Sequence, residues 1–179
     1  VISPLKALQR LAERHREAFS IPIIGVTGSN GKTIVKEWLY QLLSPSMVVT
    51  RSPRSYNSQV GVPLSVCLLN EQSQIGIFEA GISQPDEMQT LRAMIQPTIG
   101  VMTNIGQAHQ ENFATIEEKC LEKLSLFKDT NILIYDGDDP VISDCVQRSL
   151  YTGALLAWSR NDADSPLFIH PIKKNDTST

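Results

Sequence analysis

The densest chemistry in the chain lies in one short stretch, Gly25-Val-Thr-Gly28-Ser29-Asn30-Gly31-Lys32-Thr33. Its glycines let the backbone turn sharply and point several amide N–H groups at one place. The helix expected to follow adds the positive end of its dipole there, which suits a phosphate. Lys32 is placed to reach the outer phosphates of a nucleotide, and the Thr33 hydroxyl suits a magnesium ion bound to them. Gly28, Ser29, Asn30, Gly31, Lys32 and Thr33 are therefore read as a nucleotide-binding loop. The general pattern also asks for Gly six residues before the Lys, where this chain has Val26.

Other polar residues fall at or just beyond the ends of apolar runs. Glu79 closes Ile75-Gly-Ile-Phe, Asn104 follows residues 98–103, His109 lies in the loop beyond, and Asp136, Asp138 and Asp139 follow residues 131–135. A carboxylate ending an apolar strand is costly without a partner. Magnesium takes oxygen ligands, so Glu79 is read as a metal ligand, with a helix cap or an ion pair to a surface Arg as the plainer alternatives. His109 alone reads as an ordinary polar-loop histidine.

Lys123 stands out by position. At about 100° per residue, it falls inside the stripe formed by Ile116, Cys120, Leu124 and Phe127. Snorkelling to water is the plain reading of such a lysine. The sharper one is a buried lysine whose lowered pKa frees a neutral amine. Such an amine can add carbon dioxide and become an anionic carbamate.

These residues need elements to position them. Apolar runs at residues 21–26, 47–51, 75–80, 98–105, 131–135 and 154–158 read as strands. Periodic stretches at 3–19, 32–43, 62–69, 85–95, 116–127 and 139–150 read as helices. Leu5, Leu8, Leu11 and Ala12 are expected on one face of the first, and Val35, Trp38, Leu39 and Leu42 on one side of the second. Pro85 is expected in the first turn of its helix. Residues 167–172 read as a further short strand. Near-continuous apolar strands alternating with helices argue for an α/β domain with a mostly parallel sheet flanked by helices, of the phosphate-loop type. In such a sheet ligands bind outside the carboxyl ends of the strands, which gathers the residues above along one edge.

Composition sets the bounds. The 179 residues are 41% hydrophobic and 20% charged with net charge −3, an ordinary globular balance with no basic footprint for nucleic acid. No apolar run is long enough to span a membrane, and no signal-peptide pattern is present. Cys67, Cys120 and Cys145 are widely spaced and odd in number; they read as small buried hydrophobes, and a reducing cytoplasm is expected.

Taken together, Gly25 to Thr33, Glu79, Thr103-Asn-Ile-Gly-Gln-Ala-His109, Lys123 and Asp138-Asp139 resemble the Mur ligases, which build the peptide of bacterial peptidoglycan. That family has its own Gly-x-Thr-Gly-x-x-Gly-Lys-Thr loop, which accommodates Val26. The resemblance implies an ATP-binding central domain at residues 21–159, preceded at 1–20 by a linker or helix from another domain. Residues 160–179 would be its incomplete end, and the N- and C-terminal domains would be absent. It implies magnesium on Thr33 and Glu79, and a second magnesium on His109 and a carbamylated Lys123. Lys32, His109 and Lys123 would be catalytic. Asn104, Asp136 and Asp139 would lie near the nucleotide, although the family often has Asn at the position of Asp136. The stretch Arg51 to Pro63 is similar to the substrate loop of the branch that joins D-alanyl-D-alanine to UDP-N-acetylmuramoyl-tripeptide, with Asn57 and Ser58 as substrate contacts. Residues 34–39 and 79–85 look most like a form of that branch fused to alanine racemase. Folylpolyglutamate synthases share much of this constellation, and a nucleotide-binding regulatory module is the reading from another class.

Overall fold

The computed structural model describes residues 3–106 and 110–170. Strand and helix alternate along it. The order is α1 (Pro4–Glu17), β1 (Ile23–Thr27), α2 (Lys32–Leu43), β2 (Val49–Arg51), α3 (Gly61–Val66), β3 (Ile75–Glu79) and α4 (Glu87–Ile95). It continues through β4 (Ile99–Met102), α5 (Ile116–Leu124), β5 (Ile132–Asp136), α6 (Pro140–Arg148), β6 (Ala154–Ser159) and β7 (Leu167–Phe168).

The strands form one sheet in the order β2-β3-β1-β4-β5-β6-β7, every pairing parallel. β1 and β3 are buried at every position, as expected of strands covered on both faces. β1 lies between β3 and β4, so the chain leaves its carboxyl end toward one side first and crosses to the other later. That reversal opens a crevice at the end of β1, where the Gly-rich turn lies.

The two faces are unequally covered. Ile23, Phe78, Met102 and Leu133 join buried residues of α1, α3, α4, α5 and α6 in one large core. The alternate residues Ile24, Val26, Ile75 and Ile77 pack against Val35, Leu39, Tyr40 and Leu43 of α2. Among the described residues, α2 is the only helix on that second face. The register puts Ile132 and Ile134 of β5 beside Ile99 and Val101 on the same side, and there they are only half-buried.

Several elements depart from the sequence reading. On α2 the apolar stripe is rotated: Trp38 is 63% and Leu42 75% exposed, while Lys36 is fully buried. Both faces of α2 carry enough apolar residues to be the inner one, and the sheet cluster decides which. On α1, Leu11 is 62% exposed while Ala12 and Arg16 are buried. The Arg16 guanidinium donates to the carbonyls of Ile95, Phe19 and Gln96, which ties this helix to α4. Burial lowers its pKa. Pro85 lies before its helix rather than in the first turn; the cap is Asp86 in a left-handed conformation, φ 65°. The strand expected over 98–105 stops at Met102, because residues 103–106 turn toward the Gly-rich loop. The helix expected to run to 127 tightens into a 3₁₀ turn at Ser125–Phe127. Among the described residues no helix is long and apolar enough to cross a membrane.

Candidate functional site

The turn after β1 is shaped by what it approaches. Gly28 has φ +147°, and a Cβ there would lie 1.9 Å from Thr103 Oγ1. A side chain would thus meet both backbone strain and a clash. Val26, at the position where the general motif has Gly, is buried within β1 and pairs with Glu79 and Val101. The turn therefore begins after Thr27, and Gly28 supplies the freedom.

The segment after β4 holds this turn in place. Ser29 N donates to the Asn104 carbonyl at 3.0 Å, and Asn30 N donates to Asn104 Oδ1 at 2.9 Å. Thr103 Oγ1 donates to the Asn30 carbonyl at 2.6 Å, and Gly106 N donates to Ser29 Oγ at 2.9 Å. Lys119, almost fully buried on α5, donates to the Gly106 carbonyl. Lys32 Nζ reaches back to the carbonyls of Gly28 and Ser29 at 2.8 and 3.4 Å. Burial lowers its pKa, and the nearby Glu79 carboxylate partly offsets this.

Glu79 is the centre of the second group. Its Oε2 accepts from Thr33 Oγ1 at 3.1 Å and from Asn57 Nδ2 at 3.3 Å. Its plainer expected partner was a surface Arg, but the partner is Lys36, with both side chains fully buried and Nζ 3.0 Å from Oε1. That approach lacks hydrogen-bond geometry, so Oε1 has a charge partner but no hydrogen bond among the described residues. The contact is an ion pair that holds Oε1 toward Lys36 and leaves Oε2 turned to Thr33 and Asn57. Oε2 with the Thr33 hydroxyl 3.1 Å away is a hard-oxygen pair of the kind magnesium accepts, with phosphate oxygens completing the shell. Among the described residues no three His, Cys, Asp or Glu side chains cluster as a metal cage.

Asn57 and Ser58 reach the same place from the loop after β2. Asn57 accepts at its carbonyl from Gly81 N at 2.7 Å. A cavity of about 220 Å³ is lined by Gly28, Lys32, Asn57, Ser58, Gly81 and Lys123, among others. Lys123 faces it from α5 and is 3% exposed. Burial first, then the charges of Lys32 and Lys119, push its ammonium from 10.5 down to about 8. His109 lies outside the described residues.

At the end of β5 the acidic residues are occupied locally. Asp139 caps α6 by accepting from Val141 N and Ile142 N. Asp138 accepts from Ser159 Oγ at 2.5 Å and Arg160 N at 2.9 Å, and these bonds lower its pKa. Asp136 accepts from Asp138 N, while burial raises its pKa. Asp136 and Asp139 stand on the same sheet edge as the Gly-rich loop but do not line the cavity.

Sequence reasoning singled out neither Lys36 nor Lys119. The argument that found Lys123 reaches Lys36 once Val35, Leu39, Tyr40 and Leu43 are taken as the inner stripe of α2, whereas Lys119 falls outside the apolar stripe of α5 and had no such signal. For Lys36 the misplaced stripe on α2 hid it.

Comparison with known proteins agrees with this geometry. Residues 26–166 match the model of the Mur ligase middle domain. The UDP-N-acetylmuramoyl-tripeptide–D-alanyl-D-alanine ligase of Bacillus subtilis is 34% identical over 155 residues, covering 83% of this chain and 34% of the relative. That of Treponema pallidum is 37% identical over 124 residues, covering 69% of this chain and 27% of the relative. The structure of MurF ligase from Thermotoga maritima in complex with ADP superposes with a TM-score of 0.81 at 32% identity, over 90% of this chain and 38% of that one. The chain thus spans about a third of the length of these relatives. A Gly-rich turn at the sheet's reversal point, and a family match over most of the same residues, lead to one conclusion: the chain belongs to the Mur ligase family and carries its middle domain.

Proposed function

We propose that this chain is the ATP-binding central domain of a ligase that joins D-alanyl-D-alanine to UDP-N-acetylmuramoyl-tripeptide in the cytoplasm. The observation that carries the reading is the meeting of Thr33, Glu79 and Asn57 beside Lys32, with Lys123 facing the same cavity. A phosphate loop alone serves many purposes. A carboxylate, an amide from the substrate loop and a buried lysine at its mouth suit transfer of a phosphoryl group to a second substrate.

In this reading a carboxylate oxygen of the peptide attacks the γ-phosphorus of ATP, and ADP departs with the electrons of the broken bond. The product is an acyl phosphate. The amine of D-alanyl-D-alanine then attacks the acyl carbon, phosphate leaves, and the amine gives up a proton. Lys32 and the amides of residues 28–33 hold the phosphates, and Asn57 and Ser58 hold the peptide end. Asn104 keeps the loop in shape, and Asp136 and Asp139 border the nucleotide at the end of β5. Catalysis rests on positioning and on neutralising charge. Bound by Thr33 and Glu79, magnesium would draw charge from the outer phosphates. His109 and Lys123 as a carbamate would hold a second ion. The lowered pKa of Lys123 supports the carbamate, since the neutral amine is the form that adds carbon dioxide. The other domains of the intact protein would supply the remaining substrate contacts. The likeness to a racemase-fused form rests on residues 34–39 and 79–85 and enters no step.

The test is phosphate release from ATP by the intact protein, omitting each substrate in turn. Release that requires both substrates is expected. Release with a folate and glutamate instead would move the protein to the synthase class, and release indifferent to either pair would leave only a nucleotide-binding module.

A further inference from the structure

A fully buried lysine needs several partners to offset its lost hydration, and those of Lys36 are informative. Its ammonium donates to the carbonyl of Ser52 at 2.8 Å and to that of Arg54. It also stands 3.0 Å from Glu79 and 3.1 Å from Glu37. Glu37 in turn pairs with Arg51 at 3.2 Å, and the Arg51 guanidinium lies over the Tyr40 ring. One side chain of α2 thus grips the loop after β2 at two carbonyls, those of Ser52 and Arg54. The second grip is on Arg54, which has φ +48°, a conformation an L residue holds only when its surroundings impose it. The same loop then delivers Asn57 to Glu79.

We propose that Lys36 is a positioning residue. It pins the loop of residues 52–57 and one oxygen of Glu79, so that Asn57 and the other Glu79 oxygen face the phosphate loop together. Because α2 starts at that loop, Lys36 fixes the substrate segment and the nucleotide segment to one rigid helix. It touches neither substrate. The role in turnover rests on the ligase reading above; the pinning does not.

Two measurements on the intact protein test it, each comparing wild type with Lys36→Met. The first is the rate of tryptic cleavage after Arg54, located by mass spectrometry, under conditions where circular dichroism shows both proteins folded. The Arg54 side chain is exposed, so the held backbone is what protects the bond, and the variant is expected to be cut at least about tenfold faster. The second is the split between KM values. The KM for UDP-N-acetylmuramoyl-tripeptide is expected to rise about tenfold or more, with that for ATP nearly unchanged. Lys36→Gln, which can still donate to a carbonyl, is expected to show both effects at smaller size, and it replaces the Met variant should that one fail to fold. Equal cleavage rates overturn the pinning. Faster cleavage with an unchanged peptide KM, or an ATP KM that rises as far as the peptide's, overturns the positioning role. A wild-type protein that turns over neither substrate sinks the ligase reading, and the cleavage comparison still decides the pinning.

Discussion

The side chain of Asn104 accepts a hydrogen bond from the backbone of Asn30 at 2.9 Å, so the segment after β4 sets the shape of the turn after β1. One hydrogen bond of this kind contributes about 1 kcal/mol. Asn104→Ala is expected to lower the thermal midpoint by a few degrees and, through the loosened turn, to weaken Mg-ATP binding by up to about fivefold, both read by calorimetry on the intact protein. Equal affinity would mean that the turn keeps its shape without this contact.

In the proposed reading Lys32 is the residue most directly committed to phosphate. Its ammonium lies within reach of two carbonyls of the loop, and charge-assisted bonds are worth about 1.5–3 kcal/mol. Lys32→Ala is expected to raise the Kd for Mg-ATP by at least about tenfold. Titration of both proteins under the same salt decides it, and matching isotherms would take Lys32 out of the site.

Lys123 gives a pH signature. Its folded pKa is about 8 against an ordinary 10.5, so the folded protein sheds this proton first as pH rises. Between those values the unfolded chain binds more protons, and stability from this group increases with pH. Below about 8 the whole penalty is present. Lys123→Met is therefore expected to be more stable than wild type at neutral pH, by at most about 3 kcal/mol, with the gain shrinking toward pH ~10. Urea midpoints at several pH values, without added bicarbonate, would show it. A gain independent of pH would point to packing alone.

Gly28 tests the reading of the turn. With φ +147° and a Cβ position 1.9 Å from Thr103 Oγ1, Gly28→Ala is expected to cost on the order of 2 kcal/mol or to deform the loop. The thermal midpoint and the Mg-ATP affinity should show one loss or the other. If neither moves, the turn is more plastic than its contacts suggest.

Asp139 separates a cap from a nucleotide contact. It accepts from Val141 N and Ile142 N, and loss of an N-cap costs about 1 kcal/mol. Asp139→Ala is expected to lower stability by that amount, whereas Asp139→Asn, itself a good cap, should not. Weaker nucleotide binding in the Asn variant would assign the charge to the nucleotide.

Much of this was readable from residue types and periods. The strands announced themselves as short apolar runs, and the inward position of Lys123 followed from its angle on the helical wheel with Ile116, Cys120, Leu124 and Phe127. What was not readable came from contacts between distant segments. Trp38 and Leu42 looked as suited to the sheet as Val35 and Leu43, and only the position of β1 and β3 turned α2 so that Lys36 went inside. Asp139 was expected beside the nucleotide, and the cap that its Oδ1 forms on α6 was not part of that expectation. Thr103 and Asn104 extended an apolar run on paper, but the need to meet Ser29 and Asn30 bends them out of β4.

The uneven covering of the sheet bears on handling the protein. Ile34, Trp38 and Leu42 recur every fourth residue on the outer side of α2 and are 56%, 63% and 75% exposed, and elsewhere on that face of the sheet Ile132 and Ile134 are only half-buried. A net charge of −3 offers little colloidal repulsion against such a surface. Expressed as this piece alone, the polypeptide is expected to bind hydrophobic dyes while fully folded and to be salted out readily by sulfate, which strengthens apolar association.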